Sequence, residues 1–341
     1  MLPECDLKDS AERIPRIHAA MADYLDRGLL VPAVQNGFVL CERTTASGTR
    51  LGLVGAVDLE AYEYSAGSMP LVRPTEQTIA ERLPARLAIR RGAPVELSHI
   101  LILIDDPDHT VLEPLQAEKA ALRPLYDFDL MQGGGHLTGY AVEGEEKLAR
   151  VENDLMQLKE QLGEHPLLLA VGDGNHSLAT AKAAWNEIRE SLTPEERAHH
   201  PARFALCEIE NLHDAALRFE PIHRLITGTW PEDLYDEWEK YCDARGMVLS
   251  EEGTGHTFTM VIRKDEYPVV VQKPEGFIPC ETIQLFLDEF LQAHPEASID
   301  YIHGAAALRQ LAQNKRSVGF ILPDINKDQL IRLFKTIRIP A

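Results

Sequence analysis

The feature of this sequence that most constrains its fold is a strand, a polar turn and a helix in immediate succession. Leu167–Val171 is an apolar run with the length of a buried strand. It is followed by the turn Gly172–Ser177 and then by helical spacing of apolar residues from Ser177 to Leu192. This order is typical of α/β proteins, in which ligands bind where a turn leaves the carboxyl end of a strand.

Other segments predict that the sheet is mixed rather than purely parallel. His99–Ile104 is continuously apolar, which predicts a strand covered on both faces in the middle of a sheet. Gly37–Arg43 and Arg50–Leu59 flank a polar loop and predict an antiparallel hairpin. Apolar residues at helical spacing predict helices over Asp9–Gly28 and Thr110–Leu125. The predicted fold class is therefore mixed α/β (α+β).

The last third of the chain predicts a smaller C-terminal α/β layer. It contains the predicted helices Trp230–Arg245, Gly304–Gln313 and Lys327–Ile337, and a two-strand unit over His256–Gln272. A chain of 341 residues is longer than one hydrophobic core usually grows. We therefore expect two domains, 1–226 and 227–341, with no low-complexity linker to mark the boundary.

Composition excludes several classes of partner. With 54 acidic and 34 basic residues, the formal net charge is -20, and such a surface repels nucleic acid and anionic membranes. The five cysteines are widely spaced without a Cys-x-x-Cys pair, which argues against a disulfide framework and a zinc knuckle. No apolar run is long enough for a membrane span, and the N-terminus lacks the pattern of an export signal. The predicted location is the cytoplasm.

The turn Gly172–Ser177, which follows the predicted strand Leu167–Val171, is the best candidate for a functional site. Because helix N-termini present unpaired N–H groups and a positive dipole end, the position of this turn before a helix predicts a phosphate site. The carboxylate of Asp173 is able to hold Mg²⁺ or to accept a proton, and the imidazole of His176 is able to donate a further hydrogen bond. The alternative is that Asp173 or Asn175 only caps the helix and that the glycines only serve the turn. The predicted phosphate-binding residues of the turn are Gly172, Gly174, Asn175 and Ser177.

A second candidate segment lies around residue 76. Glu76, near a predicted helix start, has the chemistry of a general base that takes a proton from a substrate hydroxyl. The alternative is an acid that only complements the helix dipole. A basic cluster close by in the chain suits a small anion better than DNA, and it consists of Arg82, Arg86, Arg90 and Arg91.

A third segment, His223-Arg224, offers further donors to a phosphate. The guanidinium of Arg224 is a planar fork suited to phosphate, and His223 adds a second donor. The alternative is that Arg224 forms a structural salt bridge with Glu220 or Glu208. Spacing alone leaves both interpretations open.

The sequence resembles the domain of unknown function 1015 family in its long form. The segments that carry the resemblance are Leu71–Glu76, Ile104–Pro107, Tyr126–Leu130, Val171–Ala181 and Phe219–Arg224. The turn also resembles that of the ParB and sulfiredoxin superfamily, which includes nucleotide-dependent free-serine kinases. There the turn precedes a helix and contacts nucleotide phosphates, which implies the same task for Asp173, Gly174, Asn175 and His176.

The resemblance implies a function and also a departure from the family pattern. The commonest form of the turn is Asp-Gly-His-His-Arg, so Asn175 and Ser177 replace a histidine and an arginine. We expect Mg²⁺ with ATP or ADP as cofactor, and phosphoryl transfer to a small hydroxyl-bearing metabolite such as serine. The alternatives are a nucleotide- or metabolite-binding regulatory module without turnover, or an interaction protein with a vestigial pocket.

The ends of the chain differ from those of long-form relatives. Such relatives begin with an extra strand and end with a basic tail, and this sequence shows neither. A missing strand would leave a sheet edge open to pairing. We therefore expect either a homo-oligomer formed along the N-terminal sheet edge or weaker ligand binding than in an extended chain.

Overall fold

The structure is a computed structural model that describes residues 10–65, 68, 70–75, 83–97, 100–161, 168–324 and 327. The chain divides into two compact units, of which the first ends at Leu217 and the second begins at Arg218. The predicted base Glu76, the predicted phosphate ligand Arg82 and the predicted helix beyond Lys327 lie outside the described residues.

The first unit contains a mixed sheet, which confirms the predicted fold class. Among the described residues its strand order is β3-β7-β4-β8-β2-β1-β6-β5. The pairs β3/β7 and β4/β8 are parallel and the other neighbours are antiparallel. The strands are β1 (Gly37–Thr45), β2 (Gly48–Asp58), β3 (Val72–Arg73), β4 (Ile100–Ile104), β5 (Arg123–Asp129), β6 (His136–Glu143), β7 (Leu169–Asp173) and β8 (Phe204–Asn211).

The helices of the first unit are α1 (Ser10–Asp26), α2 (Leu83–Arg90), α3 (Glu113–Ala117), α4 (Glu145–Gln161), α5 (Asn175–Arg189) and α6 (Pro194–His199). Residues of α4 and α5 belong to the same core as the strands of the sheet. Helix α5 buries Leu178, Ala181 and Trp185 at spacings of three and four residues, as expected for one face of a helix on a core. None of the helices in the described ranges has both the length and the apolar character needed to cross a membrane.

Strand β4 lies in the middle of the sheet, as its continuous apolar sequence predicts. It pairs with β7 on one side and with β8 on the other. Ile100, Ile102 and Ile104 are at most 1% exposed and belong to the main core, while Leu103 on the opposite face is 3% exposed. A strand covered on both faces therefore sits directly beside the candidate turn.

The prediction of a helix over Thr110–Leu125 was wrong in most of its length. Helix α3 ends at Ala117, and a 3-10 turn, Lys119–Ala121, leads directly into β5. Pro124 cannot donate a hydrogen bond to a helix, whereas an edge strand tolerates it. The apolar spacing in this segment serves a strand entry rather than further helical turns.

Strand β1 is an internal strand of the sheet. It pairs with β2 through Val39–Thr45 and with β6 through Gly37–Thr44. In the part of the chain that the structure describes, the sheet ends at β3 and β5. Strand β5 carries Pro124, Asp127 and Asp129, which disfavour pairing with another chain. The homo-oligomer stays a prediction.

The second unit contains an antiparallel sheet with helices α7 (Pro231–Ala244), α8 (Pro279–Ala293) and α9 (Ala305–Leu311). Among the described residues the strand order is β10-β12-β11-β14-β9-β13. The sequence boundary predicted near residue 226 falls inside β9, and the division into domains stays a prediction. The strands are β9 (Ile222–Thr227), β10 (Val248–Ser250), β11 (His256–Ile262), β12 (Asp265–Gln272), β13 (Ser298–His303) and β14 (Ser317–Ile321).

Candidate functional site

The turn between β7 and α5 is tighter than the sequence predicts. Strand β7 continues through Gly172 to Asp173, and α5 already begins at Asn175, so Gly174 alone reverses the chain. Gly174 has φ 90°, in the left-handed region where glycine has no steric penalty. At Gly172 an added Cβ would lie 2.9 Å from the side chain of Leu103. Both glycines are therefore required by local geometry.

A Gly174→Ala variant is expected to lower the free energy of unfolding by roughly 1 to 2 kcal/mol, because a Cβ is unfavourable at positive φ. Equilibrium denaturation of both proteins measures the difference. Equal stability of the two proteins would contradict the left-handed conformation assigned to this residue.

The N-cap residue of α5 contributes no side-chain hydrogen bond. Gly174 occupies this position, and it has no side chain that could accept a hydrogen bond from the first turn. The first N–H groups of a helix have no partners within it. Among the described residues, Asp173 Oδ1 accepts a hydrogen bond only from the Gly174 N–H, at 2.7 Å. Asp173 therefore binds the N-cap residue and not an N–H group of the first helical turn. The remaining carboxylate oxygen of this exposed side chain is available to a ligand.

Asn175 joins the turn to the segment that precedes Glu76. Its Oδ1 accepts a hydrogen bond from the Thr75 N–H at 3.1 Å, and its Nδ2 donates to Thr75 Oγ1 at 3.1 Å. Thr75 Oγ1 in turn donates to the Val171 carbonyl at 2.6 Å. Asn175 is only 2% exposed, and its side chain is used to anchor the Thr75 segment. Its predicted phosphate contact stays a prediction.

His176 and Ser177 occupy the first turn of α5. Both are partly exposed, and the His176 carbonyl accepts a hydrogen bond from Thr180 Oγ1 at 2.6 Å. A cleft beside them is lined by Ser177 and Thr180 of α5 and by Arg86 and Arg90 of α2. Polar groups of two helices therefore meet next to the candidate turn.

The arginines near this cleft are already held by acids. Arg90 forms an ion pair with Glu96, and burial lowers the pKa of Arg90 to about 10. Arg91 forms two hydrogen bonds to Glu187 of α5, at 2.9 and 2.5 Å. The pair Arg91–Glu187 joins the end of α2 to α5, whereas Arg90–Glu96 lies within the segment around α2. Arg90 and Arg91 of the predicted basic cluster therefore have a structural task in addition to any contact with an anion.

His223 and Arg224 belong to the second unit and have partners within it. His223 Nδ1 accepts the Leu322 N–H at 3.2 Å, and burial lowers the pKa of this imidazole. Arg224 donates from Nε to Gln284 Oε1 at 2.9 Å. Within the described residues no carboxylate forms an ion pair with Arg224, so the structure gives neither of the predicted salt bridges to Glu220 or Glu208. The predicted phosphate contacts of both residues stay predictions.

Sequence reasoning missed a buried carboxylate on the sheet. Glu210 of β8 is 0% exposed, and its Oε1 lies 2.5 Å from Arg50 Nε without the alignment of a hydrogen bond. Burial raises the pKa of Glu210 to about 8, with Glu208 and Asp214 adding to the shift and Arg50 opposing it. The alternation of Glu208, Ile209 and Glu210 is typical of a strand whose acidic face is exposed to solvent. In this protein the face that carries Glu208 and Glu210 is also buried.

A comparison with protein-family models shows which family the chain is related to. A family model described as "Protein of unknown function (DUF1015)" matches residues 1–290. The chain belongs to this family. Curated proteins gave no match to this DUF1015 chain.

A solved structure of a free serine kinase mutant in complex with ADP is similar to the DUF1015 chain. The TM-score is 0.42 and the sequence identity 13%, over 83% of this chain and 82% of that one. Similarity of this degree leaves the chemistry to be argued from the residues themselves. Among the described residues no three His, Cys, Asp or Glu side chains are grouped as a metal site.

Proposed function

We propose that this protein transfers a phosphoryl group from ATP or ADP to the hydroxyl group of a small metabolite, with serine as the first candidate. The observation that carries this proposal is the contact between Thr75 and Asn175. It joins Thr75, the residue before the proposed base Glu76 in the sequence, to the turn proposed for phosphate binding. A base and a phosphate site must lie close together for a proton and a phosphoryl group to move in one reaction.

The N-terminus of α5 supplies the phosphate end of the proposed site. The main-chain N–H groups of Asn175, His176 and Ser177 belong to the first turn of a helix whose N-cap residue is glycine, and N–H groups at a helix start bind phosphate oxygens. His176 adds a side-chain donor. Glycine at 174 lets a phosphate approach the backbone because no Cβ stands in the way.

Mg²⁺ fits the donor set that Asp173 offers. Mg²⁺ usually takes one or two protein carboxylates and completes its shell with water and substrate phosphates. Asp173 is exposed and its carboxylate keeps an oxygen without a hydrogen bond among the described residues. The ion would neutralise charge on the phosphates, and Asp173 would hold it at the mouth of the turn.

Glu76 is the proposed general base, and it follows the anchored residue Thr75 in the sequence. In the proposed step Glu76 takes the hydroxyl proton of the acceptor, and the acceptor oxygen forms a bond to the terminal phosphorus. The bond from that phosphorus to the bridging oxygen breaks, so the nucleotide leaves one phosphate shorter. The products are the phosphate monoester and the shortened nucleotide, and the hydroxyl proton passes from Glu76 to solvent.

Nucleotide binding tests the phosphate end of this site. We expect calorimetric titration with ATP or ADP to show binding that Mg²⁺ strengthens. The Asp173→Asn variant should lose the effect of Mg²⁺, and His176→Ala should weaken binding by roughly 1.5 to 3 kcal/mol. Asp108→Asn, at an exposed acid elsewhere in the first unit, is the matched control and should bind normally. Failure of the unaltered chain to bind either nucleotide would remove the proposal.

A further inference from the structure

Arg224 is a buried cation that forms no ion pair with a carboxylate of the described residues. The residue is 8% exposed, and no carboxylate of the described residues lies within ion-pair distance of its guanidinium. Burying a charge without a counterion is costly, so buried arginines are normally paired. Because no ion pair is present among the described residues, we infer that the counterion of Arg224 is not one of their side chains.

The guanidinium is nevertheless held in a fixed orientation. Its Nε donates to Gln284 Oε1 at 2.9 Å, and Gln284 Nε2 donates to Asp288 Oδ1 at 2.7 Å one turn further along α8. Nη1 donates to the Ile222 carbonyl, and the guanidinium carbon Cζ lies 4.6 Å from the centre of the Tyr301 ring. A guanidinium has five N–H donors, and two are used in these contacts, so donors remain for a ligand.

A cavity of about 180 Å³ opens beside Arg224 in the second unit. Its walls are mostly apolar and include Ile278, Pro279 and Leu322. The exposed acids Glu220 and Asp324 also line it. Pockets for drug-sized ligands measure roughly 300 to 1,000 Å³, so this cavity fits a smaller molecule. The cavity thus combines one fixed cation with an aliphatic wall.

We propose that this cavity binds a small carboxylate-bearing metabolite with an aliphatic body. The carboxylate accepts hydrogen bonds from the free N–H groups of Arg224, and the aliphatic part contacts Ile278, Pro279 and Leu322. This proposal concerns residues of the second unit and does not depend on the phosphoryl-transfer site.

The charges around the cavity favour a carboxylate over a phosphate. Arg224 supplies one positive charge, which balances a monoanion and leaves a phosphate dianion half neutralised. Glu220 and Asp324 repel any anion, and they repel a phosphate dianion about twice as strongly as a carboxylate. The apolar walls give a bare phosphate nothing to contact, whereas burial of each methylene group of an aliphatic acid is favourable.

Titration of the full chain with simple acids tests the site. The probes are branched aliphatic monocarboxylates from acetate to 4-methylpentanoate, the amino acid leucine, and inorganic phosphate. We expect affinity to rise with the aliphatic part, and Arg224→Gln to weaken binding at least about tenfold. Arg245→Gln removes the same charge from an exposed position of the unit and should leave affinity unchanged.

A second variant keeps the test decisive if Arg224→Gln fails to fold. Glu220→Gln combined with Asp324→Asn changes two exposed side chains and should strengthen carboxylate binding by roughly twofold to fivefold. Unchanged carboxylate affinity in the double variant, no binding of any carboxylate by the unaltered chain, or Arg224-dependent binding of phosphate alone would each overturn the proposal. The last result would support the phosphate contact predicted from the sequence.

Discussion

A Glu76→Gln variant is expected to bind nucleotide as tightly as the unaltered chain and to turn it over at least about 100-fold more slowly. A general base acts on the acceptor proton in the transition state and contributes little to ground-state binding of the nucleotide. Steady-state kinetics of product formation, together with calorimetric titration of the same preparations, measures both quantities.

The control for this variant is Glu152→Gln, which changes an exposed acid on α4 in the same unit. It should retain both affinity and turnover. An equal loss of nucleotide affinity and turnover in Glu76→Gln would demote Glu76 to a binding or structural residue.

A Glu210→Gln variant is expected to gain stability relative to the unaltered chain as the pH rises from 4.5 to 8. Burial raises the pKa of Glu210 to about 8 in the folded chain from an ordinary value of 4.5. Between these values the folded chain binds more protons than the unfolded chain, so this group contributes stability below pH 4.5 that is lost as the pH rises through 8. A glutamine side chain at this position does not titrate, so its contribution to the free energy of unfolding does not change with pH.

The expected change in the stability difference over this pH range is on the order of 4 kcal/mol. Denaturant unfolding of both proteins at several pH values measures it, and other titrating groups cancel in the difference. Glu195→Gln, at an exposed acid of α6, should show no such trend. A difference that does not change with pH would mean that Arg50 keeps Glu210 ionised in the folded chain.

The fold was predictable where apolar patterning and local geometry agree. Strand β4 is apolar at every position because both of its faces are covered, and its place in the centre of the sheet follows from that. The helix predicted over 110–125 ends at Ala117, because the apolar spacing fits a longer helix whereas Pro124 and pairing with β6 make the residues from Arg123 onward a strand. Pairing partners far away in the sequence are not visible to a local pattern.

The candidate site was predictable in its glycines and less so in its supporting contacts. Gly172 and Gly174 mark the turn because their conformations and close contacts exclude a side chain. The role of Asn175 in anchoring Thr75 depends on two segments meeting in space, which no spacing rule reveals. Arg224 was predicted to bind phosphate or an acid, and the absence of an ion pair among the described residues required coordinates to be seen.

Phosphorus NMR distinguishes phosphoryl transfer from binding alone when the full chain is incubated with ATP or ADP, Mg²⁺ and small hydroxyl-bearing metabolites, beginning with serine. We expect a phosphate monoester that appears in step with the shortened nucleotide, depends on Mg²⁺ and is lost in Glu76→Gln. Nucleotide that binds at the turn and remains intact with every acceptor would contradict it, and would support a regulatory module that binds without turnover.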